Sequence, residues 1–213
     1  CKEAIRYSRW TGSSWVSETI LKEGAEDTAI VVGNDRPLIA FAGAYLGLVE
    51  RHGRKWTATT IYPDSAESVA LALEDDGTLH AVFSSYGSES MRLRHRYWTE
   101  GAGWSAPVTV DEPLGYSPDV SLARYAAELH VSYYDEANGA LKYAHRTASG
   151  AWSSEFVDTP VTSGSIPPSQ WIRMEILISP TTTSPTETCA TPLSRQDARQ
   201  TGTVTIRTIA PRT

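Results

Sequence analysis

The turn Tyr134-Asp135-Glu136-Ala137-Asn138-Gly139 gathers two carboxylates and an amide at one strand end. Asp135, Glu136 and Asn138 offer hard oxygen acceptors, which suit sugar hydroxyls or calcium. The same residues also make an ordinary hairpin turn, because Asn-Gly tolerates positive φ. Trp98 and Trp10 are a second kind of candidate, since an aromatic face packs on a pyranose ring. The ligand-binding candidates are therefore Asp135, Glu136, Asn138, Trp98 and Trp10. Asp75-Asp76-Gly77 and Asn34-Asp35-Arg36-Pro37 recur at one repeat position, which favours a turn for both.

The histidines are His52, His80, His95, His130 and His145, and none has zinc-finger or HExxH spacing. No metal ligand, cofactor or catalytic residue is assigned. His80 and His130 share one repeat position beside an apolar strand, which reads as a repeated packing or hydrogen-bonding role. His95 and His145 lie on the following strand, offset by two in the alignment. Arg9, Arg94, Arg96 and Arg146 with Tyr7, Tyr97 and Tyr143 mark a polar-aromatic strand, either a binding face or an ordinary surface. No serine sits in a G-x-S-x-G elbow. A paired-carboxylate hydrolase would draw its acids from segments distant in sequence, and no pair is singled out.

The elements that must position these residues come from a repeat. Trp15, Trp56, Trp104 and Trp152 are 41, 48 and 48 residues apart. The segments leading to them align as IRYSRWTGSSW, LGLVERHGRKW, LRHRYWTEGAGW and LKYAHRTASGAW. After each Trp comes a short strand-like segment, then a turn, then TAIVV, SVALAL or DVSLARY. These last runs are nearly all apolar, as in strands buried on both faces. In the strand LHVSYYD, Leu129, Val131 and Tyr133 alternate onto one face. Short strands with turn signals at regular intervals predict an all-β fold. Four strands per unit is the β-propeller blade pattern of four-stranded antiparallel sheets.

The stretch SLARYAAELHVSYYDEANGALKYAHRTASGAW resembles a repeat of bacterial secreted and surface β-propellers, many without an assigned function. The resemblance spans residues 5-159 and is fullest in the last unit. It implies a fold and an extracellular or cell-surface setting, and little about activity. The sialidase Asp-box, the kelch double glycine and the WD dipeptide are missing.

The units predicted are a partial one at 5-21 and fuller ones at 27-62, 67-112 and 117-159, about three and a half blades within residues 1-159. Closed propellers use about 4 to 8 blades. The chain is thus expected to be part of a longer propeller, to form a homodimer completing a ring, or to cover its open end with its tail. That tail, 160-213, is Thr/Pro/Ser-rich and partly disordered by composition. Within it, Trp171 to Ser179 and Thr203 to Ala210 read as strands.

The net charge of -6 and the lack of clustered Lys and Arg argue against nucleic acid. No apolar run is long enough for a membrane span. Cys1 and Cys189 permit a disulfide, and Cys1 fits either a chain boundary or the acylated start of a bacterial lipoprotein. Three functions follow. The first is a non-catalytic binding or scaffold module for a glycan or protein. The second is a propeller glycoside hydrolase or lyase with acids at a central channel. The third is a structural part of a longer propeller without a ligand of its own.

Overall fold

The computed structural model describes residues 4–87, 90–115 and 119–157 in full, and 173–180 and 202–209 as backbone. Cys1, Cys189, the proposed disulfide and most of 160-213 lie outside the described residues. Among the described residues the fold is all-β, with no helix.

The strands fall into consecutive antiparallel sheets. Sheet one pairs β1 (Ile5–Trp10) with β2 (Trp15–Leu21). Sheet two runs β3 (Asp27–Gly33), β4 (Arg36–Ala42), β5 (Leu46–His52) and β6 (Lys55–Tyr62) in chain order. Sheet three runs β7 (Ala66–Leu73), β8 (Leu79–Tyr86) and β9 (Met91–Thr99). Its outer edge is shared by β10 (Gly103–Trp104) and β11 (Val108–Leu114), both paired with β9. Pro107 lies between these two pieces and has no N–H to give the ladder, so the outer strand is interrupted there. Sheet four runs β12 (Val120–Tyr125), β13 (Glu128–Asp135), β14 (Ala140–Arg146) and β15 (Trp152–Phe156). A separate hairpin pairs β16 (Arg173–Pro180) with β17 (Gly202–Ile209).

The period-two alternation of each strand serves two cores at once. In β4, Ile39 and Phe41 face sheet one, with Ile5, Ile20 and Val49. Ala40 and Ala42 face sheet three, with Leu48, Leu71, Ala81 and Phe83. In β8, Ala81 and Phe83 look back at sheet two, while Val82 looks forward to Leu93, Val131, Tyr133 and Ala144. Each core therefore lies between one sheet and the next. Fully burying a side chain the size of Phe83 or Leu93 is worth about 1.5–3 kcal/mol, so these interfaces hold the stack together.

The first strands of sheets two, three and four are tied by hydrogen bonds to side chains. The Asp27 carboxylate accepts from the Ser68 hydroxyl at 3.0 Å and from the Val69 N–H at 2.9 Å. The Ser68 oxygen in turn accepts from the Val120 N–H at 3.1 Å. This links β3 to β7 and β7 to β12.

One expectation changes at β3. Burial on both faces holds for β7, where Val69, Ala70, Leu71 and Ala72 are all buried. In β3, Ala29 and Val31 pack on the core, but Ile30 and Val32 are 53% and 65% exposed. The cause is the width of sheet one. Its two strands cover Ile39, Phe41 and Val49 in β4 and β5 and do not reach β3.

Candidate functional site

The turn residues come first. Asp135 is fully buried, and both its carboxylate oxygens are occupied: Oδ1 accepts the Asn138 N–H at 3.2 Å, and Oδ2 accepts the Asn138 side-chain amide at 2.8 Å. It is a turn-capping residue facing inward. Lys142 reaches it at 3.7 Å and also pairs with Asp111, which accepts the Tyr133 hydroxyl at 2.5 Å. Burial, then Asp111, raises the Tyr133 phenol and keeps it protonated. Asn138 shares this network, and Glu136 is exposed on the turn.

The tryptophans follow a rule. Trp56 of sheet two packs edge-on against Tyr7 of sheet one, with centroids 5.4 Å apart. Trp104 of sheet three lines a cavity of about 260 Å³ with Leu38 and Leu48 of sheet two. Trp152 of sheet four packs edge-on against His95 of sheet three at 5.3 Å. Each repeat Trp thus seats on the sheet before its own. Trp15 is in sheet one and is 69% exposed. Trp10 is 52% exposed and tilts against Trp15 at 5.7 Å. Trp98 is half-buried beside Trp104 and lines the same cavity, so it faces sheet two.

The histidines form two cross-strand pairs with the same separation, His80 with His95 and His130 with His145. In sheet three, His80 is opposite Tyr97 and bonds diagonally to His95, Nδ1 to Nε2, at 3.0 Å. Its Nε2 lies 2.6 Å from Glu74. A carboxylate only accepts, so the His80 Nε2 carries the proton, and a neutral His80 accepts at Nδ1 from the His95 Nε2–H. Burial lowers the pKa of His80, and burial with the charges of His80 and Arg146 takes His95 down to about 3. Both His80 nitrogens are engaged, and Trp152 packs edge-on against His95.

In sheet four the places of histidine and tyrosine are exchanged. His130 is opposite His145, stacked at 5.0 Å, and bonds diagonally through Nδ1 to the Tyr143 hydroxyl at 2.6 Å. The His145 Nε2 lies 3.2 Å from Glu128. Burial first, then His145, lowers the pKa of His130. The His130 Nε2 is buried and has no hydrogen-bond partner.

A cleft of about 560 Å³ opens between sheets one and two. Tyr7 and Arg9 come from β1, Asp35, Arg36 and Pro37 from the β3–β4 turn, and Arg51, His52 and Gly53 from the end of β5. Asn34 and Asp35 both take positive φ, at 49° and 58°, the pattern of a tight hairpin turn that turns Arg36 back toward the cleft. Arg51 is engaged with Glu18 at 3.4 Å and lies over Trp56. Arg9 and Arg36 are exposed and have no ion-pair partner among the described residues. The sequence singled out Arg9 within its polar-aromatic strand and read Arg36 only as part of a turn. The pairing of sheet one with sheet two, which joins them, leaves no local pattern in the sequence.

Compared with known proteins, the chain matches no family model and no curated sequence.

Proposed function

We propose that the protein is a non-catalytic binding module on a propeller-like stack of four-stranded sheets, acting outside the cell or at the cell surface. Its ligand is a glycan bearing carboxylate or sulfate groups. The observation that carries this reading is the cleft between sheets one and two, lined by Arg9 and Arg36, which have no ion-pair partner among the described residues. A guanidinium offers a planar fork of donors that matches a carboxylate or sulfate, and the Tyr7 ring supplies an apolar surface. In a chain of net charge -6, this local positive cluster selects an anionic ligand. The series of sheets, each seating its Trp on the one before, supports the propeller reading.

A glycan array with acidic and neutral sugars tests the proposal. Acidic glycans are expected to be retained, retention to weaken with salt, and the pair R9A and R36A to reduce it at least about tenfold. Equal retention of neutral sugars, or indifference to the double substitution, overturns it.

One observation favours a hydrolase or lyase instead. Asp119 precedes β12, and its carboxyl is raised by burial and by the charge of Asp27 on β3. A carboxyl held protonated to higher pH beside a second carboxylate is an element of acid–base catalysis. In that reading D119N abolishes turnover of a retained glycan. In the binding reading no turnover occurs and D119N leaves retention unchanged.

A further inference from the structure

The exchange of histidine and tyrosine between sheets three and four leaves one imidazole nitrogen unused. Glu128 and His130 are two apart on β13 and so share a face, and His145 stands directly opposite His130 on β14. One ligand atom from each of the three lies within 4.8 Å of the others. We propose that Glu128, His130 and His145 form a binding site for a zinc-type divalent cation on the face of sheet four turned away from sheet three. This inference is independent of the arginine cleft.

Three features support it. First, His130 is only 4% exposed, yet its Nε2 has no partner. A buried polar atom without a hydrogen bond is costly, and a cation satisfies it. Second, the Glu128 Oε2 and His145 Nε2 are 3.2 Å apart. Ligands about 2.0–2.1 Å from a tetrahedral zinc are separated by about 3.3 Å, so this edge is already of the right length. Third, the other nitrogen of His130 contacts the Tyr143 hydroxyl at 2.6 Å. With the proton on Nδ1 donated to Tyr143, the Nε2 lone pair is left for a metal, which is how a supporting hydrogen bond fixes the tautomer of a ligand histidine.

Binding requires a proton rearrangement and a turn of the His145 ring, which now stacks on His130 with planes 16° apart, so that both lone pairs converge on one ion. The His145 Nε2 now donates to Glu128, and on binding its proton moves to Nδ1 through solvent, freeing the Nε2 lone pair. His145 and Glu128 are partly exposed, so both can adjust. Two neutral imidazoles and one carboxylate, with a fourth position left to water, are an established zinc ligand set.

The sister cluster supplies an internal control. Glu74, His80 and His95 have the same side-chain types, but both His80 nitrogens are engaged and Trp152 packs edge-on against His95.

The test is calorimetric titration of the untagged full chain with zinc chloride, with cobalt absorption as a second readout of tetrahedral nitrogen and oxygen ligation. One ion per chain is expected. H145Q and E128Q are each expected to weaken binding at least tenfold, while H95Q leaves it unchanged. Y143F tests positioning and is expected to weaken binding less than H145Q does. Circular dichroism without metal establishes that E128Q, a substitution at a half-exposed position, is folded. No stoichiometric binding overturns the proposal, as does binding to folded E128Q and H145Q with wild-type affinity.

Discussion

Asp135 and His95 show how its surroundings set what a residue does. Asp135 is a turn acid by sequence, and its turn was legible from Asn138-Gly139. Its full burial was not, because the residues that enclose it, Asp111 and Lys142, come from β11 and β14. The pairing of His80 with His95 left a trace in the sequence, since His130 and His145 repeat the same separation. The meaning of the offset of two emerges only from the strand register, which puts Tyr97 opposite His80 but His145 opposite His130. His95 carries a pH consequence. Its folded pKa of about 3 lies below the ordinary value of 6.5, so the unfolded chain binds more protons between those values. Stability therefore rises with pH across that window and falls on acidification, by up to about 1.4 kcal/mol per pH unit for this group. Urea unfolding at pH 6.5 and pH 5.0, above most carboxylate titration, should show the fall, and H95N should flatten it.

At the scale of the element, the tryptophan that opens each outer strand was legible as a packing residue from its recurrence. Which sheet it packs on was not, because spacing alone carries no direction. Trp152 lies between sheets three and four, and its loss removes an aromatic contact with His95 and part of the core around Val131 and Ala144. W152A should destabilise the fold by about 3 kcal/mol, near the lower end for buried aromatics because the residue is only partly buried. W15A should change stability by less than about 0.5 kcal/mol, as expected at an exposed site. Chemical denaturation of the two variants side by side checks the rule. Equal losses would show that the seat on the preceding sheet is not what holds Trp152. The reading of β3 as doubly buried went astray for a related reason. A strand sequence records its apolar faces but not whether the neighbouring sheet is wide enough to cover them.

At the scale of the molecule, the all-β class and its antiparallel four-stranded sheets were legible in the sequence, because turn residues and alternation punctuate the strands. The arginine cleft and the Glu128-His130-His145 cluster depend on contacts across strands and sheets, and none has a linear signature. Trp15 and Val16 of sheet one and Ile30 and Val32 of sheet two are apolar side chains left exposed. Exposed apolar side chains in this number favour association. Light scattering at rising concentration should give a mass above 23.3 kDa, and the pair W15S and V32T should lower it. A mass that stays at the single-chain value at every concentration would mean that these side chains are covered within the chain.

The serial contact between sheets has one more consequence. Among the described residues, each apolar core lies between one sheet and the next. Cooperativity in such an array is carried by nearest-neighbour coupling, as in a one-dimensional lattice, and not by a single shared nucleus. Sheets two and three, each with a core on both faces, are the last to lose their amide protection. Adding or deleting a unit changes the free energy by one sheet and one interface, so the architecture lengthens and shortens without renegotiating the rest.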